Sequence, residues 1–187
     1  MRKLIGYVGT KDLQEVTVSD IKNLDVINIA FGVIQDGEVR WEHPECKRFL
    51  SQIRLENPNL KILLSVGGWG ASGFSDASMT QNGREKLVRS AVNIVQNYSL
   101  DGIDIDWEYP CIRVGGIDGD SRDKENFTLL MKEFRLVLDQ KKDRSYFLSI
   151  AAGGDEYFTL CTQMDQVQQY LDYVQLMTYD LKGGFTM

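Results

Sequence analysis

The sequence predicts an α/β fold of the TIM (β/α)₈-barrel class, incomplete here, with about six βα units and without strands seven and eight. Three observations support this prediction. Short β-branched apolar runs alternate with longer amphipathic segments, and no glycine-rich nucleotide-binding turn follows the first apolar run. Polar and aromatic residues also cluster at the carboxyl ends of several different apolar runs, where a barrel carries its chemistry.

Six apolar runs are predicted to be strands, because each is rich in β-branched and aromatic residues and is apolar nearly throughout, as parallel strands covered on both faces are. They occupy residues 3–9, 26–34, 61–68, 102–109, 146–154 and 173–181. Helical spacing of apolar residues predicts long helices over 83–98 and 122–140, weaker ones over 45–56 and 163–172, and a further segment near 11–23. No Pro/Gly/Ser-rich linker interrupts the alternation, which predicts one partial barrel domain over residues 1–187.

This alternation fits both an open doubly wound sheet and a barrel. The turn after the first strand, GYVGTKD, has neither a GxGxxG pattern nor a Walker motif, which a doubly wound nucleotide-binding sheet usually shows. A barrel places its functional residues at the C-terminal ends of several strands. The residues at the predicted strand ends are Gly67, Gly68, Trp69, Glu108, Tyr109, Tyr179 and Asp180. Their distribution favours the barrel.

The composition restricts the classes of partner. The chain has 43% hydrophobic and 26% charged residues and a net charge of -6. Nucleic acids and anionic membranes both need a basic surface, and no apolar run approaches the roughly 20 residues of a bilayer span. The early run LIGYVG is too short for a signal peptide. We therefore expect no nucleic-acid or membrane partner and no targeting segment in these residues, and the sequence leaves the compartment open.

The few cysteines and the single histidine exclude several chemistries. Cys46, Cys111 and Cys161 form no CxxC pair, and their odd number leaves no complete disulfide framework. Neither a zinc ribbon nor a redox dithiol is therefore expected. His43 lies in the polar stretch WEHPE, which indicates a solvated loop, and one histidine cannot form a three-histidine metal site. We expect no metal and no cofactor.

The stretch DGIDIDWE, residues 101–108, places four carboxylates in or beside a predicted buried strand. With a period of two, Asp104, Asp106 and Glu108 share one face, whereas Asp101 is expected at the strand entrance. Same-face positions lie about 6.5 Å apart, so three charges repel and raise at least one pKa. Folding alone does not explain them, because burying unpaired carboxylates costs several kcal/mol each.

Three motifs at these strand ends resemble those of glycoside hydrolase family 18, the chitinases and their relatives. DGIDIDWEYP matches the family's DxxDxDxE signature, SVGGW from Ser65 matches its SxGG motif, and MTYDL from Met177 matches its sixth-strand motif. The segment ENFTLLMKEFR is similar to the helix that follows the catalytic loop. The motifs occur in the family's order, and the resemblance covers essentially the whole chain.

The resemblance implies hydrolysis of chitin or N-acetylglucosamine oligosaccharides by a retaining, substrate-assisted mechanism, in which the sugar's own 2-acetamido oxygen attacks the anomeric carbon. Glu108 is expected to be the general acid, because neighbouring carboxylates raise one pKa until the group stays protonated near neutral pH. Asp106 would orient the acetamido group, Asp104 would share a proton with Asp106, and Tyr179 would donate a hydrogen bond to the acetamido carbonyl.

The family pattern also implies a sugar cleft that is lined by Tyr7, Phe31, Gly68, Trp69, Tyr109, Met177 and Asp180. Other interpretations of some of these residues stay open. Tyr7 and Phe31 are also consistent with ordinary core positions on apolar strands. The glycine pair in SVGGW is also consistent with a tight turn that shapes the pocket, and Trp69 with packing.

The chain also departs from the family pattern. A complete barrel has eight βα units and about 250 residues, so we expect a fragment whose open strand edges promote self-association. Cys111 directly follows EYP, where the family often has a small residue.

Two alternative functions stay open. One is an endo-β-N-acetylglucosaminidase acting on N-glycans or peptidoglycan, and the other is a non-catalytic, chitin-binding, lectin-like fragment. The presence of both Glu108 and Asp106 argues against the lectin, and SVGGW beside DWEYP favours the chitinase.

Overall fold

The strands of the sheet follow one another in chain order. The computed structural model describes residues 3–113 and 118–179. Its parallel strands are, from one edge to the other, β1 (Ile5–Gly9), β2 (Val26–Gln35), β4 (Lys61–Gly67), β5 (Gly102–Asp106), β6 (Phe147–Gly153) and β7 (Tyr173–Met177). A short strand, β3 (Glu38–Arg40), pairs antiparallel with β2. Because the order does not reverse within the described residues, the sheet has no doubly wound switch point and forms the wall of an incomplete (β/α)₈ barrel.

Helices follow the parallel strands, as the βα alternation requires. They are α1 (Val18–Asn23), α2 (Cys46–Glu56), α3 (Phe74–Ser78), α4 (Gln81–Asn97), α5 (Asp123–Asp139), α6 (Glu156–Leu160) and α7 (Met164–Val167), with 3₁₀ helices at Thr10–Glu15 and Gln168–Tyr170. In the part of the chain that the structure describes, none of them is both long enough and apolar enough to cross a bilayer.

The predicted elements are confirmed, with corrections at their ends. The fourth predicted strand ends at Asp106 rather than 109, and the sixth ends at Met177. The helices predicted over 83–98, 122–140 and 45–56 correspond to α4, α5 and α2. The segment 163–172 is α7 followed by a 3₁₀ turn, and the segment 11–23 is a 3₁₀ helix followed by α1, which a Thr17–Asp20 capping box begins.

Three short elements were not predicted. The β2–β3 hairpin turns at Asp36 and Gly37, both with positive φ, which is the backbone of an Asp-Gly hairpin turn. The helices α3 and α6 have five residues each, too few for an apolar period to show. The start of α6 is fixed by its cap, because the Asp155 side chain accepts a hydrogen bond from the Phe158 N–H at 3.0 Å.

The two faces of the sheet differ in polarity, which corrects the prediction that the strands are apolar on both faces. The outer face packs its Ile, Leu and Val side chains against the helices, and there Trp107 stacks on Phe74 with ring centroids 5.1 Å apart. The inner face buries polar residues from neighbouring strands, namely Asn28, Ser65, Asp104 and Ser149. The predicted parity of β5 is confirmed, since Ile103 and Ile105 lie in the outer core. The barrel interior is therefore a polar layer enclosed by an apolar one.

Asp101 lies at the entrance of β5, as predicted, and its hydrogen bonds connect β5 to the two neighbouring strands. Its Oδ2 accepts a hydrogen bond from the Ile62 N–H at 2.8 Å and pairs with Arg54 at 2.6 Å, while Oδ1 lies 3.8 Å from Arg144. Its carbonyl accepts from the Phe147 N–H, so one residue joins the starts of β4, β5 and β6. The carboxylate is almost fully buried, and these partners offset its desolvation.

Replacing Asp101 by alanine should lower the free energy of unfolding by about 2–4 kcal/mol, because it leaves the Ile62 N–H without its partner and Arg54 without its counter-charge. Urea denaturation measures the change. Asp101→Asn keeps one acceptor for Ile62 and should cost less. The control is Asp139→Ala, which removes an exposed carboxylate paired with Arg135; Arg135 keeps Asp172 as a partner, so the change should cost about 0.5 kcal/mol or less. Equal losses for the alanine variants at 101 and 139 would show that Asp101 does not join the strands.

Candidate active site

The Asp104 carboxylate is fully buried at the base of the site, and four side chains donate hydrogen bonds to it. Tyr7 and Ser65 donate to Oδ2, both at 2.8 Å. Ser149 and Gln175 donate to Oδ1, at 2.7 and 3.0 Å. The donors come from β1, β4, β6 and β7. Burial raises the pKa of Asp104, and the four donors oppose that rise by stabilising the charged form.

Gln175 also organises the groups around Asp104. Its Nε2 donates to the Tyr7 hydroxyl at 2.9 Å, and its Oε1 accepts from Asn28 Nδ2 at 3.2 Å. Burial, followed by the charge of Asp104, raises the pKa of Tyr7, so the phenol keeps the proton that it donates. The orientation of the Gln175 amide and the protonation of Tyr7 therefore support each other.

Asp106 lies two residues nearer the barrel mouth, and its pKa is strongly raised. Burial, followed by the charges of Glu108 and Asp104, raises the pKa of Asp106 to about 8. Its Oδ1 is buried and has no hydrogen-bond partner within the described residues. Asp104 makes its four side-chain hydrogen bonds to other residues, so charge, rather than a shared hydrogen bond, couples the two aspartates in this structure. Asp106 thus offers a buried oxygen to whatever occupies the site.

Glu108 and Tyr109 follow β5 where it leaves the sheet. Glu108 is half-buried and faces the cleft, and it forms a hydrogen bond with Tyr109. Burial, followed by this hydrogen bond, raises the pKa of Tyr109. The Tyr109 ring packs near Trp69 and Phe158, at centroid distances of 6.3 Å each. The three acids 104, 106 and 108 therefore run from the buried interior to the open cleft.

A cleft of about 970 Å³ opens above these carboxylates. Eight of the residues predicted for the site line it: Tyr7, Phe31, Trp69, Asp106, Glu108, Tyr109, Met177 and Tyr179. Asp104 lies beneath it, and Asp180 lies outside the described residues. Tyr7 and Phe31 are 44% and 39% exposed and Trp69 is 67% exposed, so none of the three is an ordinary core residue.

Gly68 packs against the ring of Phe31, which lines the cleft. It has a φ of 90°, and a Cβ at this position would lie 2.7 Å from the Phe31 ring. A larger residue would therefore displace an aromatic wall of the cleft.

Sequence reasoning missed four polar residues of the site. Asn28, Ser149 and Gln175 form the polar layer around Asp104, and Asp155 lines the cleft. The available signal was a single polar residue in an otherwise apolar strand, as in VINIAF, FLSIAA and YVQLM. Such a residue identifies a position on a strand, but its partners lie on other strands and only the sheet register brings them together.

Known proteins are similar to this chain in sequence and in fold. The family model described as glycosyl hydrolases family 18 matches residues 3–186. Chitinase A1 of Niallia circulans is 38% identical over 154 residues, which are 78% of this chain and 22% of that protein. Chitinase B of Serratia marcescens is 31% identical over 195 residues, which are 91% of this chain and 37% of that protein.

A solved structure is also similar to this chain. The glycoside hydrolase family 18 N-acetylglucosaminidase from Paenibacillus barengoltzii superposes with a TM-score of 0.94 at 47% identity, covering 98% of this chain and 56% of that chain. The chain thus spans less than two fifths of the length of the two curated relatives and just over half of the solved chain.

Asp106→Asn should change how stability depends on pH. The folded-state pKa of about 8 lies above the ordinary value of 3.8, so the stabilisation from this proton is fully present below about pH 4 and is lost as pH rises through 8. Asparagine does not titrate. When the pH rises from about 5 to about 9, the free energy of unfolding should therefore fall less for the variant than for the wild type, by on the order of a few kcal/mol.

Urea denaturation at both pH values measures this difference. Asp36→Asn, at the exposed tip of the β2–β3 hairpin, is the control and should keep the wild-type profile. Parallel pH profiles for Asp106→Asn and the wild type would contradict the raised pKa.

Proposed function

Because the chain belongs to glycosyl hydrolases family 18, we propose that it hydrolyses β-1,4-linked N-acetylglucosamine polymers, chitin or chito-oligosaccharides, with Glu108 as general acid and base. One observation carries the proposal. Glu108 lines the same cleft as Asp106, whose pKa is raised and whose Oδ1 is buried with no hydrogen-bond partner in the part of the chain that the structure describes. A proton donor beside an acceptor for an amide N–H suits cleavage of a glycosidic bond next to an acetamido group.

The proposed reaction is substrate-assisted and retaining. The 2-acetamido oxygen attacks the anomeric carbon, the bond from that carbon to the leaving oxygen breaks, and Glu108 gives its proton to the leaving oxygen. The product is an oxazolinium ion and an ionised Glu108. In the second step Glu108 takes a proton from water as that water attacks the anomeric carbon, which restores both the acid and the configuration.

Asp106 and Tyr179 position the acetamido group in this proposal. The Asp106 Oδ1, which has no partner among the described residues, is an acceptor for the acetamido N–H, whose acidity rises as the oxazolinium forms. The Tyr179 hydroxyl, which lines the same cleft, donates to the acetamido carbonyl. The hydrogen bond to Asp106 grows stronger as positive charge develops on the acetamido nitrogen, so it lowers the barrier rather than only binding substrate, while Tyr179 orients the acetamido oxygen for attack.

Asp104 acts through its charge. Four donors hold its carboxylate in place, and that negative charge contributes to the high pKa of Asp106. The sharing of a proton between Asp104 and Asp106 that the resemblance implies stays a prediction beside this electrostatic coupling. The aromatic side chains of Tyr7, Phe31, Trp69 and Tyr109 offer ring faces to pyranose rings, and Met177 and Gly68 shape the wall. Asp180, which the resemblance also implies, stays a prediction.

Glu108→Gln should lower the rate of hydrolysis of chito-oligosaccharide glycosides by at least about 10², because general acids contribute roughly 10² to 10⁴ and an amide cannot donate the proton. Release of a chromogenic aglycone measures the rate, and a thermal melt at the wild-type temperature shows that the fold is intact. Glu42→Gln, at an exposed loop position, is the matched control and should keep full activity. Near wild-type rates for the 108 variant would remove Glu108 from the mechanism.

Substrates without the 2-acetamido group should not be cleaved, and a stable cyclic mimic of the oxazolinium should inhibit hydrolysis of acetylated substrate. The comparison pairs an acetylated chito-oligosaccharide with its deacetylated analogue under the same conditions. Mass spectrometry of the protein tests for a covalent sugar adduct. Equal cleavage of both substrates together with such an adduct would support a carboxylate nucleophile and exclude substrate assistance.

A second candidate function is release of single N-acetylglucosamine units. The observation that favours it is the 47% identity to a protein named as an N-acetylglucosaminidase, against 38% for Chitinase A1. Chromatography of the products of a chitin hexamer separates the two: monomer alone supports the glucosaminidase, and dimers or longer products support the chitinase. Release of glycan from a glycoprotein would support the endo-β-N-acetylglucosaminidase alternative, and binding of chitin without hydrolysis would support the lectin-like alternative.

We also propose that the 187 residues form a single partial catalytic barrel and that this chain self-associates. Within the described residues, β1 pairs only with β2 and β7 pairs only with β6, and Leu176 of β7 is 62% exposed. Unpaired strand edges beside exposed apolar side chains favour association. Light scattering should detect oligomers that Leu176→Lys reduces and that Leu55→Lys, on the exposed side of α2, does not. A monodisperse wild-type monomer would contradict the proposal.

A further inference from the structure

Cys111 and Cys161 meet beside the cleft although about 50 residues separate them in the sequence. Cys111 follows the Glu108–Tyr109 segment by two residues, and Cys161 directly follows α6, the helix that Asp155 caps. The Cys111 Sγ lies 3.9 Å from the Cys161 carbonyl oxygen and 3.9 Å from the Ser121 carbonyl oxygen. In the sequence the three cysteines are isolated from one another, whereas in the structure Cys111 and Cys161 are neighbours.

The backbone around Cys111 is held in place by a buried carboxylate. The Cys111 N–H donates to Asp123 Oδ2 at 3.1 Å. Asp123 is fully buried, and it also accepts from the Asp120 N–H at 2.8 Å and from the Ser75 hydroxyl at 2.7 Å. Cys111 is therefore fixed against the start of α5 rather than free in a loop.

The backbone around Cys161 is fixed as firmly. Its N–H donates to the Tyr157 carbonyl at 3.0 Å, and the next residue, Thr162, donates its hydroxyl to the Phe158 carbonyl at 2.7 Å. The Phe158 ring packs edge-on against Tyr109 and Phe127. Two backbone segments fixed by hydrogen bonds thus hold two half-buried cysteines side by side, and the Cys161 side chain lies within hydrogen-bonding reach of the Cys111 thiol.

The surroundings of the pair suit a bond between the two sulfurs better than a metal site. Burial, followed by the hydrogen bond and charge of Cys161, raises the pKa of Cys111 to about 12, so the thiolate that thiol–disulfide exchange needs is scarce at Cys111 near neutral pH and the exchange is slow. Across residues 3–113 and 118–179, no cluster of three His, Cys, Asp or Glu side chains could hold a metal ion. Cys46, the third cysteine, is buried in α2.

We propose that Cys111 and Cys161 form an intramolecular disulfide when the protein meets a low-molecular-weight disulfide such as oxidised glutathione. One cysteine thiolate attacks a sulfur of the small disulfide and expels one glutathione thiol, which gives a mixed disulfide. The second cysteine then attacks the protein-side sulfur of this mixed disulfide and expels the second glutathione thiol. Two protein thiols are oxidised to one disulfide, and one small disulfide is reduced to two thiols.

The bridge would join the loops after β5 and β6, which bring Tyr109 and Asp155 to the cleft. It closes a loop of about 50 residues that contains α5, β6 and α6, and cross-linking a loop of that length restricts the unfolded chain. The oxidised protein should therefore be more stable than the reduced one, and the bridge should hold together the two loops beside the general acid. This inference does not rest on the proposed reaction.

The experiment compares the folded protein before and after oxidation. The chain is reduced, freed of reductant, incubated with oxidised glutathione, and its free thiols are counted in denaturant. The number should fall from three to one. Tryptic peptides 90–113 and 145–182 should be joined, while peptide 41–47, which holds Cys46, keeps its thiol. The oxidised protein should melt about 5 °C above the reduced protein.

Two variants make the result specific. Cys46→Ala should fall from two thiols to none and form the same linked peptides. Cys161→Ser should form no internal bridge and gain no thermal stability on oxidation. Glutathione adducts on both Cys111 and Cys161, disulfide-linked dimers, or three thiols left after saturating oxidation of the folded wild type would each overturn the proposal. A lower melting temperature after bridging would overturn it as well, because it would show that the bridge strains the fold.

Discussion

The interior of the barrel depends on one buried charge, the Asp104 carboxylate. Removing a carboxylate from water costs several kcal/mol unless other groups replace its hydration, and four strands supply one donor each through Tyr7, Ser65, Ser149 and Gln175. Each strand must therefore keep a register that points its donor inward. A slip of one residue would move the donor to the apolar outer face and leave the carboxylate without a partner.

The same charge contributes to the raised pKa of Asp106, its neighbour on the inner face of β5. Asp104 contributes to the rise of the Asp106 pKa to about 8, although burial and Glu108 contribute more. The inner face of β5 thus holds a carboxylate with four donors and a second carboxyl whose pKa is raised, and the third acid, Glu108, lies at the cleft beyond the end of the strand. Asp104 and Asp106 are two residues apart, so the strand period that orders the sheet places both of them on its inner face.

The sequence allowed the strands and long helices to be predicted, because apolar runs and a 3.6-residue period mark them over many positions. The short helices α3 and α6 were not predicted, because five residues are too few to show an apolar period. The β2–β3 hairpin was also not predicted, although the Asp36–Gly37 pair is a typical hairpin turn. At the site, local motifs identified the acids and the aromatic wall. The role of Gln175 and the contact between Cys111 and Cys161 were not predicted, because each involves residues from different βα units. Spacing along a chain does not show which units become neighbours.

The glycine motif shows how local sequence and the tertiary site meet. Gly67 has a φ of 115°, and a Cβ there would lie 2.1 Å from the Asp106 carbonyl oxygen. The next residue, Gly68, donates its N–H to that same oxygen at 2.9 Å. The backbone at the end of β4 therefore packs directly against the carbonyl group of Asp106, and only glycine at position 67 permits this close approach. Phe31 fills the space on the other side of Gly68. The absence of two Cβ atoms thus fixes the position of Asp106 relative to the aromatic wall. SVGGW therefore shapes the site through its backbone, while the acids on and just after β5 supply its chemistry.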